Sequence, residues 1–115
     1  YVNQENINNF IFNWAKYWQN KDYESYFNCY EENYLPKEFE SKKAWESDRI
    51  RRIKNKSNIQ IQIKNIKIIS NYKKNILIQF TQAYNSDSFS DVVVKHTTAS
   101  MIDGSIKITG EYILR

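Results

Sequence analysis

The sequence predicts an α+β domain: three helices, then a four-strand antiparallel meander, with the helices packed into the hollow of a bent sheet. Three observations carry this. Apolar residues recur at helical spacing through the first half of the chain, and from Ile59 the spacing changes to two. Within the first strand the alternation slips by one residue, which is what a β-bulge does, and bulges bend strands. Helices followed by strands, rather than strands alternating with helices, is the α+β order.

The first helix is expected from a stripe of Ile7, Phe10, Ile11, Trp14 and Trp18, with Asn3 as N-cap and Glu5 in the first turn. Asn20 and Lys21 end it. Asp22 can cap a second, shorter helix carrying Tyr23, Tyr26, Phe27 and Tyr30, so the two helices form a hairpin. Residues 31–40 hold the only proline, Pro36, and read as a connection. Ser41 can cap a third helix running to about Lys54, with Trp45, Arg49 and Ile53 on one face. In the first strand Ile59, Ile61 and Ile63 share one parity and Ile66 and Ile68 the other, placing the bulge near Lys64–Asn65. Turns are expected at residues 71–75 and 85–91. They bound strands at 76–84 and 92–100, and Asp103–Gly104 is a strong hairpin signal before a last strand at 106–114.

Composition narrows the function. A chain of 115 residues suffices for one domain and one core, so residues 1–115 are read as a single unit. It begins at Tyr1 rather than Met, and is therefore expected to be a piece of a longer multidomain protein. The net charge is +4, with acidic residues interspersed among the lysines. The densest basic stretch, Arg49 to Lys56, falls at a helix end where cations complement the macrodipole, which favours a solvated helix end over a nucleic-acid patch. A single cysteine, Cys29, allows no internal disulfide. No apolar run is long enough to span a membrane. No Cys/His/Asp cluster has metal spacing and no glycine-rich phosphate loop occurs, so no metal or cofactor is expected. The lone His96 has no triad partner at recognisable spacing, and Cys29 reads as a small buried hydrophobe; no catalytic residue is assigned.

The polar residues on apolar faces are the informative ones. Arg49 shares a face with Trp45 and Ile53, so its stem is part-buried and its guanidinium needs an acceptor, for which Glu111 is the candidate. Gln82 sits between Phe80 and Tyr84 on a strand face with Ile76 and Ile78, and a buried amide must find a partner. An Arg49–Gln82–Glu111 set is read either as a structural network or as part of a ligand site. The pocket expected between helices and sheet is lined by Trp14, Trp18, Trp45, Arg49, Gln82, Tyr84 and Glu111. The outward residues of the sheet are taken to include Gln60, Gln62, Gln79, Thr81, Lys95 and Thr97. That is too polar for an obligate interface, so the isolated domain is expected to be mainly monomeric.

The order of elements resembles the NTF2-like superfamily, which includes the SnoaL-like and ketosteroid-isomerase-like domains and encloses a cone between helices and a curved sheet. A narrower resemblance covers nearly the whole chain. It runs through Trp14-Ala-Lys-Tyr-Trp18, Asp22, Tyr23-Glu-Ser-Tyr26, Phe39, Lys42-Lys43-Ala-Trp45 with Arg49, and Asn65-Ile-Lys-Ile68. It continues through Ile78-Gln-Phe80-Thr-Gln82-Ala-Tyr84-Asn-Ser86, Asp91, Lys95 and Ile106-Lys-Ile108 to Glu111. These segments are similar to the C-terminal NTF2-like domain of the Csd-type and Pgp-type L,D-carboxypeptidases. Ile106 stands where an aromatic is usual, and Gly110 directly precedes Glu111. The catalytic Cys and His of such enzymes belong to a separate domain. The resemblance therefore implies an accessory role in the periplasm or cell envelope: binding a small polar or amphipathic ligand, such as a peptide or glycan fragment, or a partner protein.

Two other classes remain open. A ketosteroid-isomerase-like enzyme would need a pocket carboxylate as base (Asp22, Asp48 or Glu111) with Tyr26, Tyr30 or Tyr84 donating. RNA binding through aromatics and lysines is a third reading, without a recognised RNA motif.

Overall fold

The computed structural model describes residues 2–114. Helix α1 (Gln4–Gln19), α2 (Tyr23–Asn28) and α3 (Lys42–Lys54) precede strands β1 (Gln60–Tyr72), β2 (Asn75–Asn85), β3 (Ser90–Ile102) and β4 (Ser105–Leu114). The strands form one antiparallel sheet in the order β1-β2-β3-β4. All three expected caps are present. The Asn3 side chain accepts from the Asn6 N–H, and the Asn6 side chain returns the bond to the Asn3 N–H, a reciprocal box. Asp22 accepts from the Ser25 N–H and Ser41 from the Ala44 N–H.

The core lies between the helices and the concave face of the sheet. Ile7, Ile11, Trp14 and Trp18 of α1 meet Ile63 of β1, Ile76, Ile78 and Phe80 of β2, Ala99 of β3 and Ile108 of β4 in one buried cluster. The slip in β1 is real. The pairing with β2 shifts between Lys64 and Lys67, Asn65 takes φ 57°, and the inward parity changes from Ile61 and Ile63 to Ile66 and Ile68. A second shift, between Ile68 and Ser70, adds to the bend. The free edge of β1 is partly capped by helix side chains: the Ile61 N–H donates to Gln19 Oε1, and Gln4 Nε2 donates to the Ile66 carbonyl. Such cover blunts an edge that could otherwise pair with another chain.

A bulge on β4 was not legible in the sequence. Ala99 pairs with Ile108 and Thr98 with Gly110, leaving Thr109 extra. The inward residues of β4 are therefore Ile106 and Ile108 before the bulge, and Glu111 after it. Gly110 falls at this point: a Cβ there would lie 2.7 Å from Thr98 Oγ1 and 2.9 Å from the Tyr112 hydroxyl. The segment after α2 also joins β4. The Glu31 N–H donates to the Ile108 carbonyl and the Ile108 N–H to the Cys29 carbonyl.

The expected phase of β3 requires correction. Lys95 and Thr97 point inward and are buried, at 8% and 1% exposure. The residues facing out are Val92, Val94, His96 and Thr98. The run Val92-Val93-Val94 has no alternation to fix the parity, so only pairing with β2 sets it. The convex face is thus more apolar at its β3–β4 end than the sequence indicated, with Val92, Val94, Tyr112 and Leu114 exposed. The polarity of this face therefore favours a monomer less strongly than an all-polar face would.

Asn65 provides a test of the bend. A β-branched side chain is strained in the left-handed region by about 1–2 kcal/mol, whereas glycine is not. Asn65→Val should lower stability in urea by that amount, and Asn65→Gly should unfold close to the wild type. Equal midpoints for Asn65→Val and the wild type would show that the bulge does not require this backbone conformation.

Candidate functional site

The site is a charged cluster set in an aromatic cone. Trp14, Trp18 and Tyr26 pack against one another, with Trp14 also edge-on to Phe80 at 6.0 Å between centroids. Trp45 of α3 sits among Phe27, Tyr30 and Tyr34 at 5.3, 4.8 and 4.8 Å. Into this cone project Arg49 from α3, Gln82 from β2, Lys95 from β3 and Glu111 from β4.

Their pairing differs from the sequence expectation. Arg49 does not ion-pair with Glu111; its Nη2 donates to the Tyr26 hydroxyl at 3.2 Å, and its guanidinium lies 5.4 Å from the Trp18 ring centre. The cation beside Glu111 is Lys95, whose Nζ is 3.7 Å from Oε1. The same ammonium stands 4.8 Å over Trp14, so a carboxylate and a ring face together compensate its burial. Gln82 bonds neither Arg49 nor Glu111: its buried Oε1 has no hydrogen-bond partner.

A chain of hydroxyls joins Arg49 to Glu111. Tyr30 donates to Glu111 Oε1 at 2.5 Å. Its single proton is then committed, so Tyr26, 3.1 Å away, must donate to the Tyr30 oxygen, which also accepts from Trp14 Nε1 at 3.1 Å. Arg49 completes the sequence by donating to Tyr26. Every member points its proton toward the one carboxylate.

The electrostatics follow from burial. Burial pushes the phenols of Tyr26, Tyr30 and Tyr34 up, and the Glu111 carboxylate adds to the effect; at Tyr26 the Arg49 guanidinium offsets part of it. Burial pulls the Lys95 ammonium below its ordinary value despite the opposing pull of Glu111, and Arg49 adds repulsion. For Arg49 burial acts against the charge, but Tyr26, Tyr30 and Glu111 outweigh it and the guanidinium is held charged.

Two adjoining hollows open from this cluster. The inner one, about 270 Å³, is lined by Trp45, Arg49, Gln82, Lys95 and Glu111, with Trp18 at its edge. The outer one, about 380 Å³, shares Trp18, Arg49 and Gln82 and is rimmed by Tyr84, Phe89, Arg52, Lys56 and Asp91. Tyr84 stacks on Trp18 at 5.5 Å. Six of the seven expected lining residues are thereby brought together. Trp14 is not among them: it is 1% exposed and lines neither hollow, because the Lys95 ammonium and Phe80 cover it.

Lys95 is the site residue that sequence reasoning missed, having been assigned to the outer face. The other polar candidates lie elsewhere. His96 is on the convex face, 2.9 Å from Gln79. The Cys29 thiol is buried, which pushes it up to about 12 and leaves it a poor nucleophile. Asp22 caps α2, and Asp48 binds Arg51 and Arg52 at 2.7 and 2.9 Å. Among the described residues no group of three or more His, Cys, Asp or Glu could hold a metal ion. No helix among them is long and apolar enough to cross a membrane.

Residues 6–112 match the family model for the Cds6 C-terminal NTF2-like domain. Among solved structures, Bd1075 of Bdellovibrio bacteriovorus is 25% identical with a TM-score of 0.84, over 95% of this chain and 39% of that one. A lysine-to-alanine variant of Pgp2, the helical cell shape determining protein of Campylobacter jejuni, is 18% identical with a TM-score of 0.80, over 93% of this chain and 39% of that one. A candidate dehydratase of the NTF2-like family from Streptomyces avermitilis is 12% identical with a TM-score of 0.77, over 95% of this chain and 93% of that one. This chain thus spans well under half the length of Bd1075 and of Pgp2. No curated protein matches it.

The buried phenols give a pH test. Their folded-state values lie above the unfolded value of about 10, so the native chain keeps protons that the unfolded chain releases. Their contribution to stability is complete below pH ~10 and is lost as pH rises through the raised values. Lys95 acts oppositely, since its lowered value makes stability rise as pH approaches about 10.4, but that gain is complete there, and at higher pH only the phenols oppose the fold. In an ultraviolet titration Tyr26, Tyr30 and Tyr34 should ionise only as the fold is lost at strongly alkaline pH. A single transition near pH 10 for all nine tyrosines, with the fold intact, would contradict the burial described here.

Proposed function

We propose that this chain, which belongs to the family of Cds6 C-terminal NTF2-like domains, is a non-catalytic binding module whose cone mouth holds a small polar ligand for a larger cell-envelope protein. The observation that carries the reading is Gln82. A buried acceptor without a partner costs about 1–3 kcal/mol, and here it lines both hollows, whose walls carry four cations (Arg49, Arg52, Lys56 and Lys95) and two carboxylates (Asp91 and Glu111). A ligand that brings an N–H to Gln82 and a carboxylate to Arg49 would satisfy the acceptor and use the excess positive charge. A peptide fragment has both groups, and Trp18, Tyr84 and Phe89 offer apolar area beside them.

The nature of the larger protein is argued from likeness. This chain corresponds to 39% of the length of Bd1075 and of Pgp2, and Pgp2 is a helical cell shape determining protein. Together with the resemblance to L,D-carboxypeptidase accessory domains, this supports a periplasmic parent that acts on peptidoglycan, with this domain presenting or retaining the substrate. A muropeptide fragment is then the first ligand to test.

An enzyme of the isomerase or dehydratase kind is the rival reading, and Glu111 is the observation that favours it. It is the one of the three candidate bases that reaches the inner hollow. Its Oε1, however, takes the Tyr30 proton and the Lys95 ammonium. A carboxylate so engaged is better placed to fix charge than to remove a proton.

The test separates ligand binding from structural roles. Peptide and glycan fragments of peptidoglycan are titrated while Trp fluorescence is followed, since Trp18 borders both hollows. Gln82→Leu should weaken binding at least tenfold while leaving stability unchanged or raised by about 1 kcal/mol, because it removes an unpaired buried polar group. Arg49→Ala should weaken binding by a similar factor. Wild-type affinity in both variants, or no fragment binding at millimolar concentration, would remove the mouth as a ligand site.

A further inference from the structure

A second concavity lies away from the cone mouth. It is a groove of about 500 Å³ between α1, α2 and the β3–β4 hairpin, and it shares no lining residue with the two hollows above. Along α1 it is lined by Asn9, Phe10, Asn13 and Tyr17, and across from them by Asn28 and Lys107. These α1 positions recur at helical spacing and form a strip beside the buried stripe of Ile7, Ile11, Trp14 and Trp18. We propose that this groove binds an uncharged oligosaccharide.

The chemistry of the lining carries the choice. No carboxylate lines the groove, and its one cation is engaged: Lys107 Nζ donates to both the backbone carbonyl and the side-chain oxygen of Asn28. Neither an anion nor a cation is therefore the favoured occupant. The side chains of Asn9 and Asn13 are exposed and make no hydrogen bond among the described residues. A carboxamide both donates and accepts, as a sugar hydroxyl does, so the two groups can pair in either sense. An apolar ligand would bury these amides unpaired, at a cost a sugar avoids. Phe10 and Tyr17 are part-buried against the core and line the groove, so aromatic surface is available there to the C–H face of a pyranose. From Asn9 to Tyr17 the strip runs about 12 Å along the helix axis, room for a short oligosaccharide rather than one sugar.

Asparagine is abundant throughout the chain, so its presence alone decides nothing. What distinguishes Asn9 and Asn13 is that both carboxamides are unengaged and stand beside two aromatic side chains in a concave surface. This assignment is independent of the mouth: it uses no residue of the charged cluster, and either site can fail without the other.

The experiment is an amide-correlation NMR titration of the 115-residue chain with two uncharged probes, tri-N-acetylchitotriose and maltotriose. At least one should shift the side-chain amides of Asn9 and Asn13 and the backbone signals around Tyr17 and Lys107. The apparent affinity should be insensitive to salt, since no free charge is involved. Asn9→Ala and Asn13→Ala lie at exposed positions and should keep the wild-type melting temperature while weakening binding at least fivefold together. Arg49→Ala should leave this binding unchanged. No shift at millimolar sugar, or shifts confined to residues of the cone mouth, would overturn the proposal. So would a response of the groove to the neutral peptide N-acetyl-trialanine amide in place of the sugars, which would make it a peptide groove.

Discussion

The Lys95–Glu111 pair is the interaction around which the rest of this domain is arranged. Two opposite charges inside an aromatic cone are tolerable only if each keeps a partner, because an unpaired buried ion costs several kcal/mol. Three features of the fold supply those partners. The extra residue Thr109 changes the parity of β4, so that Ile108 and then Glu111 both face inward. The bridge between the post-α2 segment and Ile108 sets Tyr30 where its hydroxyl reaches Glu111. The long aromatic helix lays Trp14 under the Lys95 ammonium. Helix, connection and strand are each tied to the same pair of charges.

The cluster also explains why the core and the pocket grade into one another. Its deep side is closed by Trp14, Tyr26 and Phe80, all at 1% exposure, and its shallow side opens through Arg49 and Gln82. Arg49 spans the two environments, bonded to buried Tyr26 below and bordering both hollows above. The charge balance is left uneven, with two cations to one carboxylate at the centre; at the rim Lys56 and Asp91 oppose one another and Arg52 is paired with Asp48. That imbalance is costly for a core and useful for a site, which is the usual meaning of a local departure from good packing rules.

Most of the fold was legible because local signals agreed with the tertiary answer. Asn3, Asp22 and Ser41 each precede an apolar periodic run and each became a cap. The parity slip between Ile63 and Ile66 can be read directly because isoleucines mark both phases. The errors share one cause: they depend on register, which no local signal fixes. Val92-Val93-Val94 has no alternation, so Lys95 was placed outside. The Thr109 bulge is hidden because Ile106, Ile108, Tyr112 and Leu114 keep one unbroken parity across Gly110, although Tyr112 and Leu114 lie on the outer face. With Lys95 read as outward, Arg49, on an apolar helix face with Trp45 and Ile53, is the cation the sequence offers to Glu111. Gln82 was identified correctly as an amide on an apolar face, but the sequence cannot say that its oxygen stays without a partner.

The centrality of the Lys95–Glu111 pair is tested most directly by a double-mutant cycle in urea, using Lys95→Met, Glu111→Gln and the double variant. Each single change removes one charge and leaves the other buried, so each should destabilise by about 3–5 kcal/mol, and less to the extent that the inner hollow is wet. The double variant removes both charges and should lose far less than the sum, with an interaction energy of at least ~1 kcal/mol. Single-variant losses that simply add, to within about 0.5 kcal/mol, would contradict the account and show that the two charges are stabilised independently.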